Sequence, residues 1–481
     1  MDQIRIGLDF GTHQTKVCIQ TTPDEGHGQP QYEFFQFKDM EGHYQYVIPS
    51  LIQINTDDTL SYGYVDSRRE KKGLEKPVKE IFPNLFFDNA HDTELLFNKY
   101  KTDINNPEQK SVLEAMLSRR ETILKARRAK LKKQAEEKYI AELKRYHDSR
   151  AVYRYFKQAT FADRQWDREY DSKYLCIWYL AYLIFLLEER FGENFSINMG
   201  VPVDETTYNK KKKLAVEILA SSYYLVEEVY HGDLDAFLSE KIDTLIKRTV
   251  YQEYTYDLKE EYNINVFPEA YAGLITLTSQ GKISSGMSLT ADIGGGTTDV
   301  SFFTINNNKP QIYRYWSLPQ GLNYIAENSG FDYFDESLNN NVKKDIVDKY
   351  NEGKKAIINN LIKDLIHQLR KETNLLVNQL YNALEDRVLV YNGGGSNYDF
   401  MANEIPPFKD VMKIDASMWK EENIKDKNNV SKICPVLTTA YGLSLCGNDK
   451  DVQLCPFTSL FKSISSGSAR KETFYIDKDC C

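Results

Sequence analysis

Two stretches of the sequence place an aspartate at the end of an apolar strand and a glycine-threonine turn directly after it. The first, IGLDFGTHQTKVCI, has Asp9 in this position, and the second, LTADIGGGTTDVSFF, has Asp292. Glycines lack a Cβ, so backbone N–H groups in such turns can crowd around an anion. A phosphate accepts these hydrogen bonds strongly because it is charged. The turn residues that would bind phosphate are Gly11, Thr12, His13, Gly294, Gly295, Gly296 and Thr297.

Two such hairpins facing each other would hold a polyphosphate from both sides and would bring Asp9 and Asp292 close together. Like charges at short range repel each other unless a cation lies between them. Mg²⁺ suits this position, because it keeps most of its waters and carboxylates can hold the hydrated ion. Each stretch alone is also consistent with a plain structural hairpin, so the other motifs of the chain are needed to distinguish that alternative from a phosphate site.

A third glycine run, Gly393, Gly394 and Gly395, follows the apolar strand RVLVYN and precedes Ser396. A flat nucleoside can lie against a backbone that carries no side chains. On its own, such a run is equally typical of a tight structural turn. Three runs in this order, each at a strand end, predict a nucleotide site far more specifically than one run does.

The elements that position these turns follow from the hydrophobic pattern. The run YLCIWYLAYLIFLL, residues 174–187, is too short to span a bilayer, which needs roughly 20 residues, and predicts a buried helix. The other predicted elements are strands over 1–54, a strand at 196–203, mainly helix over 204–262, a hairpin over 287–305, helix over 335–386 and a short helix over 436–445.

The bulk composition limits the class of protein. A chain of 481 residues is too long for one compact core and predicts two or more domains. The net charge of −9 argues against nucleic acid as the main partner. The 7 cysteines are an odd number without regular spacing, which argues against a disulfide framework or a zinc site and favours a reducing compartment. The N-terminus has no charged-then-apolar leader, so we expect a cytoplasmic protein without a membrane anchor.

Residues 108–150 differ from the rest of the chain. They contain no glycine and are dense in strong helix formers and basic residues. Leu117, Leu124 and Leu131 recur every seven residues, but arginine or glutamine occupies the other seam position of the heptad. We expect a long, basic, partly exposed helix or helical hairpin. This arm either is simply solvated or docks a partner protein.

The chain resembles the actin-like ATPase superfamily, which includes actin, the seventy-kilodalton heat-shock chaperones, sugar kinases and plasmid-segregation filaments. DIGGGTTDVSFF looks most like the heat-shock chaperones, and GLDFGT, VIPSLIQI and INMGVPV also fit that branch. The resemblance implies an α/β, two-lobed actin-like (ribonuclease-H-like) ATPase fold with helical insertions. The matching motifs, in order, are phosphate 1 at 6–19, connect 1 at 264–275, phosphate 2 at 289–303, adenosine at 388–397 and connect 2 at 436–445.

The resemblance also implies how the chain is divided. Lobe I would begin with residues 1–50 and resume at 171–285 after an insertion at 51–170, and it would carry the helical insertion 204–262. Lobe II would comprise residues 286–435 with a helical subdomain at 326–387. The remaining segments would be the connect 2 helix at 436–447, which returns to lobe I, and a C-terminal tail at 448–481.

Roles for individual residues follow from the resemblance. Asp9 and Asp292 would hold the hydrated Mg²⁺, and Asp299 would help order the attacking water. The adenosine of ATP or ADP would rest against Gly393, Gly394, Gly395 and Ser396. Glu352 and Lys355 look like the chaperones' purine and ribose contacts, although a solvated i,i+3 ion pair explains them equally well. Lys79 is a candidate for the chaperones' phosphate-contacting lysine, with a plain surface lysine as the alternative.

Two positions depart from the chaperone pattern. The chaperones carry Glu before the proline of connect 1, whereas this chain has Phe267 there and Glu269 directly after Pro268. The plasmid-segregation filaments share this order, and in them that Glu orients the water. Glu269 is therefore the candidate water-orienting base, with a plain helix-N-terminal Glu as the alternative. His13 replaces a small hydroxyl residue and is either only a bulky turn residue or a phosphate contact, and as a phosphate contact it would make the site pH-dependent near neutrality.

The sequence thus predicts a slow, Mg²⁺-dependent ATPase related to heat-shock-70, without its peptide-binding domain. It would act as a nucleotide-driven conformational switch on a protein partner. The alternatives are a filament-forming actin-like ATPase, a small-molecule kinase and a low-turnover nucleotide-dependent scaffold. An oligomer is compatible with each of them.

Overall fold

A computed structural model of the chain describes most of its folded core. The described stretches are 3–23, 28–65, 149–161, 166–203, 207–278, 288–306, 309–318, 321–331, 338–372, 388–397, 410–415 and 423–454, with scattered positions between them. Lys79, residues 373–387 and the tail after Leu454 therefore lie outside the described residues.

The chain divides into two compact units. The first comprises 1–53, 59–65 and 153–481, and it contains both large sheets. The second comprises 54–58 and 66–152, including the basic arm predicted at 108–150. The few described positions of the arm between Ala115 and Lys133 are helical and exposed, its last two residues, Ser149 and Arg150, begin strand β9 instead of continuing a helix, and the other arm residues lie outside the described part of the chain. The docking role of the arm stays a prediction.

The strands occur in two runs separated by helices. They are β1 Gln3–Phe10, β2 Gln14–Thr22, β3 Gln31–Phe34, β4 Phe37–Lys38, β5 Tyr44–Gln45, β6 Ile48–Pro49, β7 Ile52–Asn55, β8 Leu60–Tyr62, β9 Ser149–Tyr153, β10 Phe195–Val201, β11 Ile264–Pro268, β12 Ser288–Ile293, β13 Thr298–Asn306, β14 Lys309–Leu318, β15 Val388–Asn392, β16 Asp410–Lys413 and β17 Gln453–Leu454.

The helices lie mainly between β9 and β12 and after β14. They are α1 Phe156–Phe161, α2 Ser172–Phe191, α3 Tyr208–Tyr224, α4 Leu234–Ser239, α5 Ile242–Arg248, α6 Tyr256–Glu261, α7 Glu269–Thr278, α8 Leu322–Asn328, α9 Asn340–Glu372, α10 Lys427–Val430 and α11 Cys434–Leu445. A π-helical turn, Leu225–Val229, continues α3.

The first sheet has the strand order β11-β10-β1-β2-β3. Strands β1, β2 and β3 are antiparallel neighbours, whereas β10 and β11 run parallel to β1. The last five residues of β1 are all buried, because this central strand is covered on both faces. Its end, where Asp9 lies, is consequently enclosed by the fold.

The second sheet repeats this plan with the order β16-β15-β12-β13-β14, and β17 is added beside β14. Strands β12, β13 and β14 are antiparallel neighbours, and β15 and β16 run parallel to β12. Two sheets with the same order of three antiparallel and two parallel strands form the duplicated, two-lobed α/β fold of actin-like proteins. The predicted fold class is confirmed, and so is the predicted duplication of strand, aspartate, glycine turn and strand.

Helix α2 contains the long apolar run and is buried along most of its length. It begins where the Asp171 side chain accepts a hydrogen bond from the Lys173 N–H at 2.9 Å, and it ends at Gly192, whose φ is 73°. The buried helix predicted at 174–187 is confirmed. Among the described residues, no helix is long and apolar enough to cross a membrane.

Helices α7 and α11 pack against each other with almost no space between their backbones. A Cβ on Gly442 would lie 1.8 Å from the carbonyl oxygen of Ala272, and a Cβ on Gly7 would lie 2.2 Å from that of Ala440. The short helix predicted over 436–445 is present as part of α11, and Gly442 and Gly7 allow it to lie directly against α7 and β1. One apolar core surrounds these helices and takes side chains from both sheets, including Phe34 of the first and Phe303 of the second.

Candidate functional site

A cleft at the strand ends collects the predicted motifs. Its lining comes from the β1–β2 turn, the β12–β13 turn, the start of α7, the turn after β15 and the start of α11, together with one lysine of α1. About 630 Å³ of space that no atom fills lies along this lining, part of it continuous with open solvent. Every residue of this lining belongs to the first compact unit.

The first hairpin presents a carboxylate and a lysine side by side. Asp9 ends β1, and its Oδ2 lies 3.0 Å from Nζ of Lys16, its cross-strand partner on β2. Inside the turn, the Gly11 N–H donates to the Asp9 carbonyl at 3.0 Å, and the Ser50 hydroxyl donates to the Gly11 carbonyl at 2.6 Å. The carboxylate and the ammonium group both face the cleft.

The second hairpin approaches the first so closely that it needs its glycines. Asp292 lies in β12, and the Gly294 N–H closes the following turn by donating to the Thr297 carbonyl at 2.9 Å. A Cβ on Gly296 would lie 2.8 Å from the methyl group of Thr12 in the first hairpin. The two turns therefore face each other across the cleft, as the sequence predicts.

The carboxylates of the cleft favour a bound cation. Burial, reinforced by the negative charges of Asp9 and Asp299, raises the pKa of Asp292 to about 7. Two neutral groups, the Asn392 amide at 3.4 Å and the Thr439 hydroxyl at 3.5 Å, donate to Oδ2 of Asp292. Within the described residues, no group of three or more His, Cys, Asp or Glu is arranged to ligate a metal. Two carboxylates on one cleft thus fit a hydrated Mg²⁺ held through its waters, rather than a directly ligated metal.

A buried ion pair lies beside this carboxylate pair. Nζ of Lys157, on α1, is 2.5 Å from Oε1 of Glu269, the first residue of α7. Burial alone would lower the pKa of Lys157, but the charges of Glu269 and Asp9 outweigh it and raise that pKa. Burial raises the pKa of Glu269, which Lys157 opposes. Gly200 makes room for this pair, since a Cβ there would lie 2.9 Å from Cγ of Glu269.

Asp299 lies on β13 and is held by neutral donors. The Tyr315 hydroxyl donates to its Oδ1 at 2.6 Å, and the Thr297 hydroxyl donates to its Oδ2 at 3.2 Å. Burial raises the pKa of Asp299, although the hydrogen bonds from Ser317 and Tyr315 oppose the shift. The carboxylate is thus fixed in orientation at the edge of the cleft.

His13 lines the cleft between the two hairpins. Burial, and then the positive charges of Arg154 and Lys16, lower its pKa to about 3. Its ring lies 3.3 Å from the amide of Asn323, and a Cβ on Gly295 would lie 3.1 Å from the ring. The imidazole is therefore neutral in this structure, and its contact with phosphate, with the pH dependence that such a contact would give, stays a prediction.

The third glycine run is only partly open to the cleft. Gly393, with a φ of 78°, and Gly394 line it beside Pro435. Gly395 and Ser396 belong to the short 3₁₀ helix that follows, and the buried Ser396 hydroxyl donates to the Gly393 carbonyl at 2.7 Å. Ser396 therefore holds the turn together and does not line the cleft, and its contact with adenosine stays a prediction.

The predicted purine and ribose contacts lie on α9. Glu352 is exposed there and does not line the cleft. Lys355 is part of the same helix, and its side chain lies outside the described part of the structure. The roles of Glu352 and Lys355 stay predictions.

Comparisons with known proteins add little to this picture. No protein-family model matches the chain, and no curated protein does either. The chain is similar to a number of solved structures. One of them is MreB 5 of Spiroplasma citri bound to AMPPNP, with 11% sequence identity, coverage of 97% of this chain and 99% of that chain, and a TM-score of 0.40. At this level of similarity, the fold class rests on the strand order of the two sheets.

Sequence reasoning missed the two lysines of the cleft. Lys16 faces Asp9 in the hairpin register, and pairing IGLDF with TKVCI residue by residue would have found it. Lys157 is a buried lysine in the otherwise uncharged helix FKQATF, which is an unusual composition unless a partner is present. Lys79, the candidate from the sequence for the phosphate-contacting lysine, lies outside the described residues.

Proposed function

We propose that the cleft binds ATP with Mg²⁺ and hydrolyses it slowly to ADP and phosphate. The observation that supports this proposal is the convergence of the two glycine turns with Asp9, Asp292, Asp299 and Glu269 on one cavity. A structural hairpin has no need of a second carboxylate-bearing hairpin opposite it. A site for a metal-bound polyphosphate needs both.

The phosphate end of the nucleotide would lie between the two hairpins. Backbone N–H groups of the turns at 12–13 and 295–297 would donate to the β- and γ-phosphates, whereas those of Gly11 and Gly294 are used within their own turns. Lys16 and Lys157 would supply positive charge beside them. Asp9 and Asp292 would hold the metal through water, and Mg²⁺ when bound neutralises charge on the phosphoryl oxygens.

Hydrolysis would depend on two carboxylates that accept hydrogen bonds from the attacking water. Glu269 and Asp299 both line the phosphate end of the cleft. The Lys157 ammonium group favours the ionised form of Glu269, which a base requires. Because phosphoryl transfer needs positioning and charge neutralisation more than covalent chemistry, these groups are sufficient for a slow reaction.

We further propose that the nucleotide biases the two sheets between an open and a closed arrangement. Because Gly442 packs directly against Ala272, helices α7 and α11 would move together as one rigid unit. A γ-phosphate bound by both turns would favour closure, and its loss would favour opening. If the protein acts as a heat-shock-70-like switch, a protein partner would respond to this change, and the 108–150 arm is a candidate segment for docking that partner.

Nucleotide titration and phosphate release test the ATPase proposal on the full chain. Asp9→Ala and Asp292→Ala should abolish Mg·ATP binding or turnover, whereas Glu269→Ala should preserve binding and slow turnover. Asp243→Ala, an exposed acid on α5, is the matched control and should leave both unchanged. Unchanged turnover in Glu269→Ala would contradict the water-orienting role, and unchanged Mg·ATP binding in both aspartate variants would contradict the site itself.

Filament formation is the second candidate, favoured by the order of Pro268 and Glu269. Light scattering separates the two modes. If light scattering increases once the protein exceeds a threshold concentration in the presence of ATP, but does not increase in ADP, the protein forms filaments. A flat response over the same concentrations indicates a switch that acts on another protein.

A further inference from the structure

A small side cavity opens beside the phosphate end of the cleft. It shares Lys157, Glu269 and Asp299 with the cleft, and its remaining wall includes Tyr315 and Ser317 of β14. The space has room for about one water molecule. Both candidate water-binding carboxylates border it, so it is the place where a nucleophilic water would be held.

Each of the two carboxylates is fixed by a different side chain. The Lys157 ammonium group lies 2.5 Å from Glu269, and the Tyr315 hydroxyl donates to Oδ1 of Asp299 at 2.6 Å. The other oxygen of Asp299 accepts a hydrogen bond from Thr297 at 3.2 Å. Donors on both oxygens prevent the carboxylate from rotating about its Cβ–Cγ bond.

The strand register explains how Tyr315 reaches this carboxylate. Asp299 on β13 lies opposite Ser317 on β14, and Tyr315 is two residues away along the same strand. Residues two apart on a strand lie on the same face, and a diagonal neighbour is within reach of an aromatic side chain. The tyrosine therefore reaches Asp299 diagonally, while Ser317 also hydrogen-bonds the carboxylate.

We propose that Tyr315 is a positioning residue for ATP hydrolysis, which it serves by fixing the Asp299 carboxylate toward the water in the side cavity. This inference rests on the proposed ATPase function. Its physical basis is that an acceptor must present a fixed lone pair to a water, and small misplacements of reacting groups can lower a rate about 100-fold.

Tyr313 provides a matched control on the same strand. Its hydroxyl accepts a hydrogen bond from Thr304 at 3.1 Å and donates to Gln311 at 3.2 Å, away from the cleft. Tyr313→Phe and Tyr315→Phe remove the same atom from the same strand, but a register shift between Phe302 and Phe303 places Tyr313 on the opposite face, where its ring packs against Phe302. Only the second removes a donor to Asp299.

The experiment measures kcat, KM and the Kd of Mg·ATP for both variants of the full chain. Tyr315→Phe should lower kcat about tenfold, since a hydrogen bond to a charged group is lost while the one from Thr297 remains. KM and Kd should stay within about twofold, because ground-state binding does not use the tyrosine. Tyr313→Phe should leave all three constants unchanged.

A double-mutant cycle links the effect to Asp299. In an Asp299→Asn background, adding Tyr315→Phe should lower kcat no further, because the two side chains act as one unit. Ser317→Ala should lower kcat in the same sense by a smaller factor, and it serves as a second variant if Tyr315→Phe folds poorly.

The outcomes separate this inference from the ATPase proposal. Wild-type turnover combined with an unchanged kcat in Tyr315→Phe overturns the inference alone. An equal loss in Tyr313→Phe, or a full additional loss in the Asp299→Asn background, also overturns it. A wild-type protein that neither binds Mg·ATP nor releases phosphate overturns the proposed function and the inference with it.

Discussion

Replacing Asp292 with asparagine should stabilise the protein in the absence of nucleotide and metal while removing its ability to bind Mg·ATP. The reason is electrostatic. Asp292 shares the cleft with Asp9, Asp299 and Glu269, and burial together with their charges raises its pKa from 3.8 to about 7. An asparagine has the same shape, and its carbonyl oxygen can still accept hydrogen bonds from the Asn392 amide and the Thr439 hydroxyl.

The size and the sign of this stability difference follow from the linkage between proton binding and folding. Between the unfolded-state pKa near 4 and the folded-state pKa near 7, the unfolded chain loses this proton first, so the wild-type protein loses stability as pH rises. The loss is at most about 1.4 kcal/mol per pH unit in that window and levels off above it. The full effect between pH 5.5 and pH 8 is about 2 kcal/mol. Because Asp292 is partly open to the cleft, we expect about half of this, so the advantage of Asp292→Asn should grow by about 1 kcal/mol over that range. At roughly 2 °C per kcal/mol, the difference in Tm should widen by about 2 °C.

Thermal unfolding of both proteins with a chelator present, at pH 5.5 and at pH 8, measures this difference. A second series with Mg·ATP should raise the Tm of the wild-type protein and not that of Asp292→Asn, because only a ligand that binds the native state stabilises it. A Tm difference that stays constant between the two pH values, or that favours the wild type at pH 8, would refute the argument. It would mean that Asp292 carries no unbalanced charge in the cleft.

Three further substitutions test features on which the site depends. Asp449→Asn removes the charge that Lys259 meets at 2.7 Å in a buried pair, and the free energy of unfolding in urea should fall by about 3–5 kcal/mol. Gly442→Ala would place a Cβ 1.8 Å from the Ala272 carbonyl oxygen, and the same assay should show a loss of about 1–3 kcal/mol or more. His13→Asn should leave the shape of the pH profile of phosphate release unchanged between about pH 6 and pH 8, because the pKa of His13 is lowered to about 3.

Matched controls accompany these variants. Lys349→Ala breaks an exposed pair with Asp345 at 2.9 Å and should change stability by less than about 0.5 kcal/mol. Gly447→Ala adds a Cβ that meets no atom within 4 Å and should be neutral in the urea assay. If the controls destabilise as much as the test variants, burial and backbone contact are not the causes. If His13→Asn removes a titration near pH 6.5, the histidine is charged in the working protein.

The features that could be predicted from the sequence are those formed by residues close together in the chain. A strand that ends in Asp and continues through glycine into a second strand can form only a few structures, so both hairpins were predicted from their own residues. Two copies of that plan also predict two similar sheets. The buried helix around residues 174–187 was predictable for the same reason, since its apolar run is continuous.

The parts that sequence reasoning missed depend on the tertiary fold. Lys157 reaches Glu269 only because α1 packs at the cleft, and no spacing rule joins two residues so far apart in the chain. The neutral state of His13 could not be predicted, because its burial and its basic neighbours are not visible in THQTK. The hydrogen bond by which the Ser396 hydroxyl closes its own turn is likewise not visible in NGGGS, and the contact of Ser396 with adenosine stays a prediction. Tyr315 had no motif at all, and only the β13–β14 register places it beside Asp299.

The distribution of charge in the cleft shows which carboxylate most needs a bound metal ion to balance its negative charge. The two lysines of the cleft each face a carboxylate, Lys16 facing Asp9 and Lys157 facing Glu269. Asp299 has short hydrogen bonds from neutral donors, whereas Asp292 has only long ones from neutral donors and no ion pair within the described residues. The unbalanced charge is therefore on Asp292, and a polyphosphate entering without a cation would add repulsion to it. Metal and nucleotide should consequently bind together, with ATP affinity falling when Mg²⁺ is withdrawn.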